Sequence, residues 1–412
     1  MDDLELPRLA EEGLSVALGD TPVVLVHGPR QCGKTTLARR VGRRLGHEYF
    51  SFDEDAVRLA AQRDPAGFVA RLPRRVVLDE VQRVPEIFLP IKVEVDRGRV
   101  PGRFLLTGST DILLLPGLSD SLAGRIGVLR LHPFAQCEIE RKAPTLLKAI
   151  RSGDFGLQRG ERLEAELARR IVAGGFPAAV ARGTPSRRRQ WYENYVESLV
   201  QRDARELARI SSLRALPKLL RLCAAQTGRL INISDLSSSF QLSRPTIRDY
   251  VTLLERLFLV EELPPWSSNR LSRLVKTPKL HLADTGLACA LLSVTQAGLL
   301  ENRELLGQLL ETFVYTELRG QSSGLAETIE FAHFRDKDGA EVDLVLQFED
   351  SKVAGVEVKA SATLRSTDFR GLRRLRESSG RRFAGGVILY DGDATVGMGD
   401  GLFAVPISEL WR

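Results

Sequence analysis

Gly28-Pro29-Arg30-Gln31-Cys32-Gly33-Lys34-Thr35-Thr36 sets glycines, a lysine and a hydroxyl at the G-x-x-x-x-G-K-[ST] spacing. Together these residue types hold phosphate. Glycines let the backbone curl so that successive N–H groups face an anion, and a following helix adds its positive end. Lys34 is then expected to reach the β- and γ-phosphates, and the Thr35 hydroxyl to ligate Mg²⁺. Downstream, Arg75-Val76-Val77-Leu78-Asp79-Glu80 is an apolar run opening into two acids. Asp79 is expected to hold Mg²⁺ through water, and Glu80 to take the proton of an attacking water. Phe104-Leu105-Leu106-Thr107-Gly108-Ser109 ends a second apolar run in hydroxyls. Thr107 or Ser109 would sense a γ-phosphate there; a polar cap on the next helix is the equal alternative. Arg125 is the candidate arginine finger, offered to a neighbouring copy, with a structural salt bridge as the other reading. His27, directly before the loop, reads as strand-end packing.

A second constellation lies far downstream. Glu341-Val342-Asp343-Leu344-Val345 and Val356-Glu357-Val358-Lys359 read as strands. Residues two apart on a strand share a face, so Glu341 goes with Asp343 and Glu357 with Lys359. Glu311, on a helix over 309–318, supplies a further acid. Converging carboxylates with a lysine suit Mg²⁺-assisted phosphodiester hydrolysis. Asp343, Glu357 and Glu311 would be the metal ligands and Lys359 would orient the nucleophile. Charged strand positions facing solvent are the alternative.

Between the two, Ile233–Ser237 and Leu242–Arg248 read as helix, turn, helix. Ser243 suits an N-cap and Pro245 a first turn. Ile247, Tyr250, Val251, Leu254 and Leu257 share one face and should be core, which leaves Arg244, Thr246 and Arg248 outward. Arg270, Arg273, Lys276 and Lys279 follow as a basic wing able to neutralise phosphates. A winged helix serving as a spacer between domains is the alternative.

These residues need elements to position them. Apolar runs at Val23–Val26, Tyr49–Phe52, Val76–Leu78, Phe104–Thr107 and Val128–Leu131 alternate with helical stretches, as in a parallel sheet. Strands are also expected at Glu330–Arg335, Val342–Gln347, Gly355–Val358 and Gly386–Leu389. The fold class is α/β and multidomain. A P-loop domain spans 1–135, a helical connector 136–210, a winged helix-turn-helix 211–300 and an α/β domain 301–412. Ser186-Arg187-Arg188-Arg189 is read as a solvated basic face.

The 412 residues are 43% apolar and 27% charged, a globular balance with room for several cores. The net charge of +6 permits nucleic acid as a partner without requiring it. Four cysteines without a C-x-x-C pair argue against a disulfide framework and suit a cytoplasmic location. The acidic start is unlike a signal peptide, and no apolar run approaches the ~18 residues of a membrane span.

Asp79-Glu80-Val81-Gln82-Arg83-Val84-Pro85-Glu86, Leu106–Ser109, Leu122–Arg125, Gly174-Gly175-Phe176-Pro177 and Lys279–Leu287 resemble recurring phrases of a prokaryotic family. Its members are AAA-type P-loop ATP-binding proteins with an uncharacterised C-terminal domain. The Asp343, Glu357-x-Lys359 and Glu311 pattern resembles the PD-(D/E)XK, restriction-endonuclease-like fold, with Val342 where the name has proline. The first resemblance implies ATP and Mg²⁺ as ligands. A winged helix and a nuclease-like module behind one motor-type site suggest a DNA-directed ATPase, of helicase or branch-migration type, with Mg²⁺-dependent cleavage as an added expectation. A nucleotide-controlled switch, or a protein-remodelling AAA machine working as a homo-oligomer, is the alternative. No membrane partner is expected.

Overall fold

The computed structural model describes residues 6–109, 122, 124–156, 159–200, 215–268 and 277–412. Two compact units result. One is built from Met1–Phe134 with Arg256–Phe258 and Ser323–Ala326; the other takes Ala135–Glu255, Leu259–Ser322 and Glu327–Arg412. The stretches 136–210, 211–300 and 301–412, read separately above, all contribute to the second unit.

In the first unit five strands form a parallel sheet: β1 (Val23–His27), β2 (Glu48–Ser51), β3 (Val76–Asp79), β4 (Phe104–Gly108) and β5 (Ile126–Arg130). Their order is β2-β3-β4-β1-β5. Every residue of β1, β3 and β4 is buried, because helices cover both faces. Strand alternation divides the core in two. Val23, Leu25, Val76, Leu78, Phe104 and Leu106 pack with Ile91 and Val95 of helix Phe88–Arg97. Val24, Val26, Val77 and Leu105 pack on the other face with Leu37 and Val41 of helix α1 (Lys34–Leu45). Gly42 lets α1 lie close to the sheet, since a Cβ there would come within 2.7 Å of Val77.

Register matters for the site. Val26 pairs with Thr107, His27 with Gly108 and Leu78 with Leu106. The carboxyl ends of β1, β3 and β4 therefore reach one edge, where ligands of open α/β sheets sit.

The second unit holds two sheets. Strands β6 (Arg229–Leu230), β7 (Val260–Leu263) and β8 (Lys279–Leu282) pair antiparallel in the order β6-β8-β7. Helices Leu216–Ala225, Ile233–Phe240 and Arg244–Arg256 precede β7 in the chain. Asn232 caps the second of these and Ser243 the third, its Oγ accepting from Thr246 N at 3.3 Å. Ile247, Tyr250, Val251, Leu254 and Leu257 are all buried.

The larger sheet is mixed. It runs β13 (Val396–Gly397), β14 (Leu402–Pro406), β12 (Phe383–Tyr390), β11 (Val353–Lys359), β10 (Glu341–Phe348), β9 (Ile329–Arg335). Strands β9, β10 and β11 pair antiparallel, whereas β11, β12 and β14 are parallel. Helix Arg370–Ser379 closes one face with Leu372 and Leu375. Strand β14 has no counterpart among the sequence expectations.

Two recurring phrases meet inside this unit. Asp284 caps helix Thr285–Leu291 through Leu287 N and also accepts from Gly175 N at 2.7 Å. Gly174 has φ +66°, and a Cβ there would lie 2.3 Å from the Tyr192 hydroxyl and 2.4 Å from Asp284 Oδ1. Tyr192 in turn donates to Ala173 O at 3.1 Å. Gly174 is thus required by packing around a buried carboxylate. Nearby, buried Glu317 accepts from Gln136 N at 2.8 Å, and burial pushes its pKa up to about 8.

Two outcomes follow. Gly174→Ala should lower stability by about 2 kcal/mol or more, from left-handed backbone and the clash, as read by urea denaturation. Glu317 has a folded pKa above its unfolded value, so its stabilisation is complete below pH ~4.5 and fades as pH rises through about 8. Glu317→Gln keeps the acceptor and should flatten that fall in Tm, measured by circular dichroism across the range.

Candidate nucleotide site and the downstream charge cluster

The loop after β1 is shaped by backbone that few residues adopt. Gly28 has φ +150°, and a Cβ there would meet Leu131 O at 2.2 Å. Gln31 and Gly33 also have positive φ, 61° and 102°. Arg8 braces the loop from outside the motif. Its guanidinium donates to Cys32 O at 2.8 Å and His132 O at 2.6 Å, and lies 4.7 Å from the centre of the Phe134 ring. Lys34 starts α1, and its buried Nζ donates to Gly28 O at 3.0 Å and Pro29 O at 2.7 Å. The ammonium is held on the loop that it would serve.

Asp79 is the centre of the site. It is buried at the end of β3 and accepts three hydroxyls. Thr35 Oγ1 lies 3.0 and 3.1 Å from its two oxygens, Tyr49 OH donates to Oδ2 at 2.7 Å, and Thr107 Oγ1 donates to Oδ1. Burial, then Asp79, pushes the Tyr49 phenol up to about 12, so it stays a donor at neutral pH. The Arg39 guanidinium covers its ring at 4.0 Å. The donor set fits Mg²⁺: Thr35 and Asp79 offer a hydroxyl and a carboxylate side by side, oxygen ligands of the kind Mg²⁺ takes alongside substrate phosphates.

Glu80 follows with φ +59°, an uncommon conformation for a non-glycine residue. Its N–H donates to Thr107 Oγ1 at 3.1 Å. Its carboxylate accepts from Ser109 Oγ at 3.0 Å and from Gln82 Nε2. Gln82 Nε2 also reaches Ser109 Oγ at 3.0 Å. Thr107 and Ser109 therefore divide their work: one holds Asp79 and the turn, the other holds Glu80.

His27 packs edge-on to Phe258 with ring centroids 5.3 Å apart. Burial first, then Arg130 and Lys34, lowers its pKa to about 4, so it is neutral near pH 7. Arg125 makes a two-pronged pair with Asp96, at 2.6 and 3.1 Å. That is the salt-bridge alternative for Arg125, within the same chain. Tyr49, Gln82 and Arg8 were not among the sequence candidates. Gln82 lies two positions after Glu80; Tyr49 and Arg8 carry no local signal.

In the second unit the outward positions of helix Arg244–Arg256 are partly engaged. Arg244 is exposed, Thr246 Oγ1 lies 2.7 Å from Ser243 Oγ, and Arg248 pairs with Glu262. Arg270, Arg273 and Lys276 lie outside the described residues. Lys279 corrects the wing expectation. It is buried on β8, its Nζ 2.7 Å from Glu311 Oε1 and 3.3 Å from Asp343 Oδ1. The basic run before Trp191 is engaged too, with Arg189 paired to Glu193 at 2.9 Å and Arg188 donating to Arg182 O.

The structure brings Glu311, Asp343, Glu357 and Lys359 to the same cluster, but the Mg²⁺ set expected of them does not fit. Lys279 stands between Glu311 and Asp343. The other Asp343 oxygen accepts from Val358 N at 3.0 Å, and Glu357 Oε1 from Lys359 Nζ at 2.7 Å. Among the described residues no group of three or more His, Cys, Asp or Glu is arranged to hold a metal ion. Glu341 turns to Arg335 at 3.0 Å rather than to Asp343.

Comparison with known proteins agrees on the first unit. Residues 20–140 match the family described as AAA domain. Residues 164–298 and 306–410 each match a domain of unknown function, DUF8612 and DUF4143. Uncharacterized proteins of Mycobacterium tuberculosis and Mycobacterium bovis are 29% identical over 406 residues, 98% of this chain and 84% of each relative. Among solved structures, a Walker-type ATPase of Pyrococcus abyssi aligns with TM-score 0.43 at 17% identity, over 68% of this chain and 94% of that one. The RuvB Holliday junction branch migration motor of Thermotoga maritima aligns at 0.31 and 21%, over 62% and 89%. Overlap at that level carries no functional argument. Residues 20–140 are thus similar to a P-loop domain of the AAA type. Among the described residues no helix is long and apolar enough to cross a membrane.

Removing the Tyr49 hydroxyl should leave buried Asp79 short of one donor. Tyr49→Phe is expected to cost about 1–2 kcal/mol in urea unfolding. Gln82→Ala should loosen the Glu80 carboxylate and lower kcat for ATP about tenfold with little change in KM, measured by steady-state phosphate release.

Proposed function

We propose that this chain hydrolyses ATP at the loop of Gly28–Thr35 and uses the cycle to act on DNA. The carrying observation is the pair of acids at the end of β3, each fixed by different hydroxyls. Asp79 is bound by Thr35, Thr107 and Tyr49, and Glu80 by Ser109 and Gln82. A hydrolytic site needs these two acids in separate roles.

In this reading the loop N–H groups and Lys34 hold the triphosphate. Thr35 and Asp79 would hold Mg²⁺, which neutralises phosphate charge when bound. Glu80 takes the proton from the attacking water as that oxygen bonds to the γ-phosphorus. The bond to the β,γ-bridging oxygen breaks and ADP leaves. Ser109 and Gln82 keep the Glu80 carboxylate aimed, and Ser109 would sense the γ-phosphate. Pro29, Arg30, Gln31, Cys32 and Thr36 contribute backbone to the cradle.

The DNA part rests on the second unit. Three helices and a three-stranded antiparallel sheet follow one another as in a winged helix-turn-helix. Arg244 and the neighbouring Thr246 and Arg248 stand at the start of its third helix, where such helices touch DNA. Contacts there would be largely to phosphate, so binding should be strongly salt-dependent. A switch that binds protein is the second reading, favoured by the pairing of Arg248 with Glu262.

Phosphate release measured against single-stranded, duplex and junction DNA separates the two. Stimulation that fades with salt and is lost in Arg244→Ala/Arg248→Ala supports the DNA reading; turnover indifferent to every form refutes it. Glu80→Gln should keep ATP bound and slow turnover by about 100-fold or more.

A further inference from the structure

We infer that Lys279 is the resident cation of the Glu311, Asp343 and Glu357 cluster, and that this cluster is a closed ionic core rather than a site for a divalent metal. The inference concerns the second unit and stands apart from the ATPase reading.

Geometry comes first. Lys279 leaves β8 with its side chain only 8% exposed, and its ammonium meets a carboxylate from helix Arg303–Ser322 and another from β10. A metal bridging those acids would need the oxygens that Nζ already contacts. The remaining oxygens of Asp343 and Glu357 are largely committed to Val358 N and Lys359 Nζ. The other Glu357 oxygen, Oε2, is buried without a hydrogen-bond partner.

His281 does not compete for the role. It sits two residues along β8 with Nε2 3.9 Å from Glu311 Oε1, and Nδ1 3.1 Å from Thr312 Oγ1. Burial first, then Lys279, lowers its pKa to about 3, so it is neutral.

Charge agrees with geometry. Three carboxylates face two ammonium groups, Lys279 and Lys359, leaving one formal negative charge. Burial and Asp343 push Glu311 well above the usual carboxylate range and Glu357 up to about 8. Burial opposes the charge on Lys279, but Asp343 and Glu311 outweigh it and hold its pKa above the usual lysine range. Adding a divalent ion would leave excess positive charge in a buried place, which is costly. Removing the Lys279 ammonium would reverse this, leaving two net negative charges and freed oxygens.

The test is Mn²⁺ binding by electron paramagnetic resonance on the full-length, nucleotide-free protein. Asp79→Asn is present throughout, to remove the carboxylate expected to hold a metal in the first unit. The parent should bind no Mn²⁺ at millimolar concentration. Lys279→Met should gain one site, and Lys279→Met/Glu311→Gln should lose it again. Lys279→Arg keeps the charge and should gain none. A Mn²⁺ site in the parent that Glu311→Gln abolishes would overturn the inference. So would a Lys279→Met protein with parental circular dichroism that gains no site. If Lys279→Met does not fold, the parent decides together with its Glu311→Gln variant.

Discussion

The buried carboxylate of Asp79 is the interaction on which the first unit turns. A carboxylate removed from water must be given donors, and each of its donors comes from a different element. Thr35 comes from α1, Tyr49 from β2 and Thr107 from β4. The strand order β2-β3-β4-β1-β5 is what makes this possible, because it puts β2 and β4 on either side of β3. Satisfying one acid thus fixes the loop helix, an outer strand and a central strand at the same edge. Glu80 follows in left-handed backbone, which turns its carboxylate toward Ser109 and Gln82 instead of toward the Asp79 donors. The two carboxylates are adjacent in the chain yet accept from separate side-chain donors.

A similar logic governs part of the second unit. Asp284 is buried and is shared between the start of its own helix and Gly175, over one hundred residues away. Burial pushes its pKa up, while N–H donors from Gly175 and Leu287 pull the other way. Position 174 needs glycine because any side chain there would strike this carboxylate or the Tyr192 hydroxyl. Motif-like phrases therefore divide into those that do chemistry and those that satisfy an internal charge.

The cluster at Glu311, Asp343 and Glu357 shows how narrow that division is. The same acids in the same places would read as metal ligands if Lys279 were elsewhere. Its ammonium joins β8 of the small sheet to β10 of the large one and to the helix between them. One lysine decides whether the acids are a reactive centre or a tie between two sheets.

The local part of the candidate nucleotide site was legible because its residues are neighbours in sequence. Gly28–Thr35 and Asp79-Glu80 follow apolar runs whose ends must open at a sheet edge. Strands β1, β3 and β4 were equally plain, as continuous apolar runs buried on both faces. Tyr49 and Arg8 were not legible, because their partners lie on other elements and nothing adjacent marks them. Lys279 misled for the same reason: next to Arg270, Arg273 and Lys276 it looks like one more surface cation. The amino-acid sequence by itself determined which side chains could bind phosphate, accept a proton or carry charge, and which runs must be strands. Only the tertiary structure decided which charges meet. A buried ion is settled by partners brought together in folding, and those partners are dozens to more than a hundred residues apart along the chain.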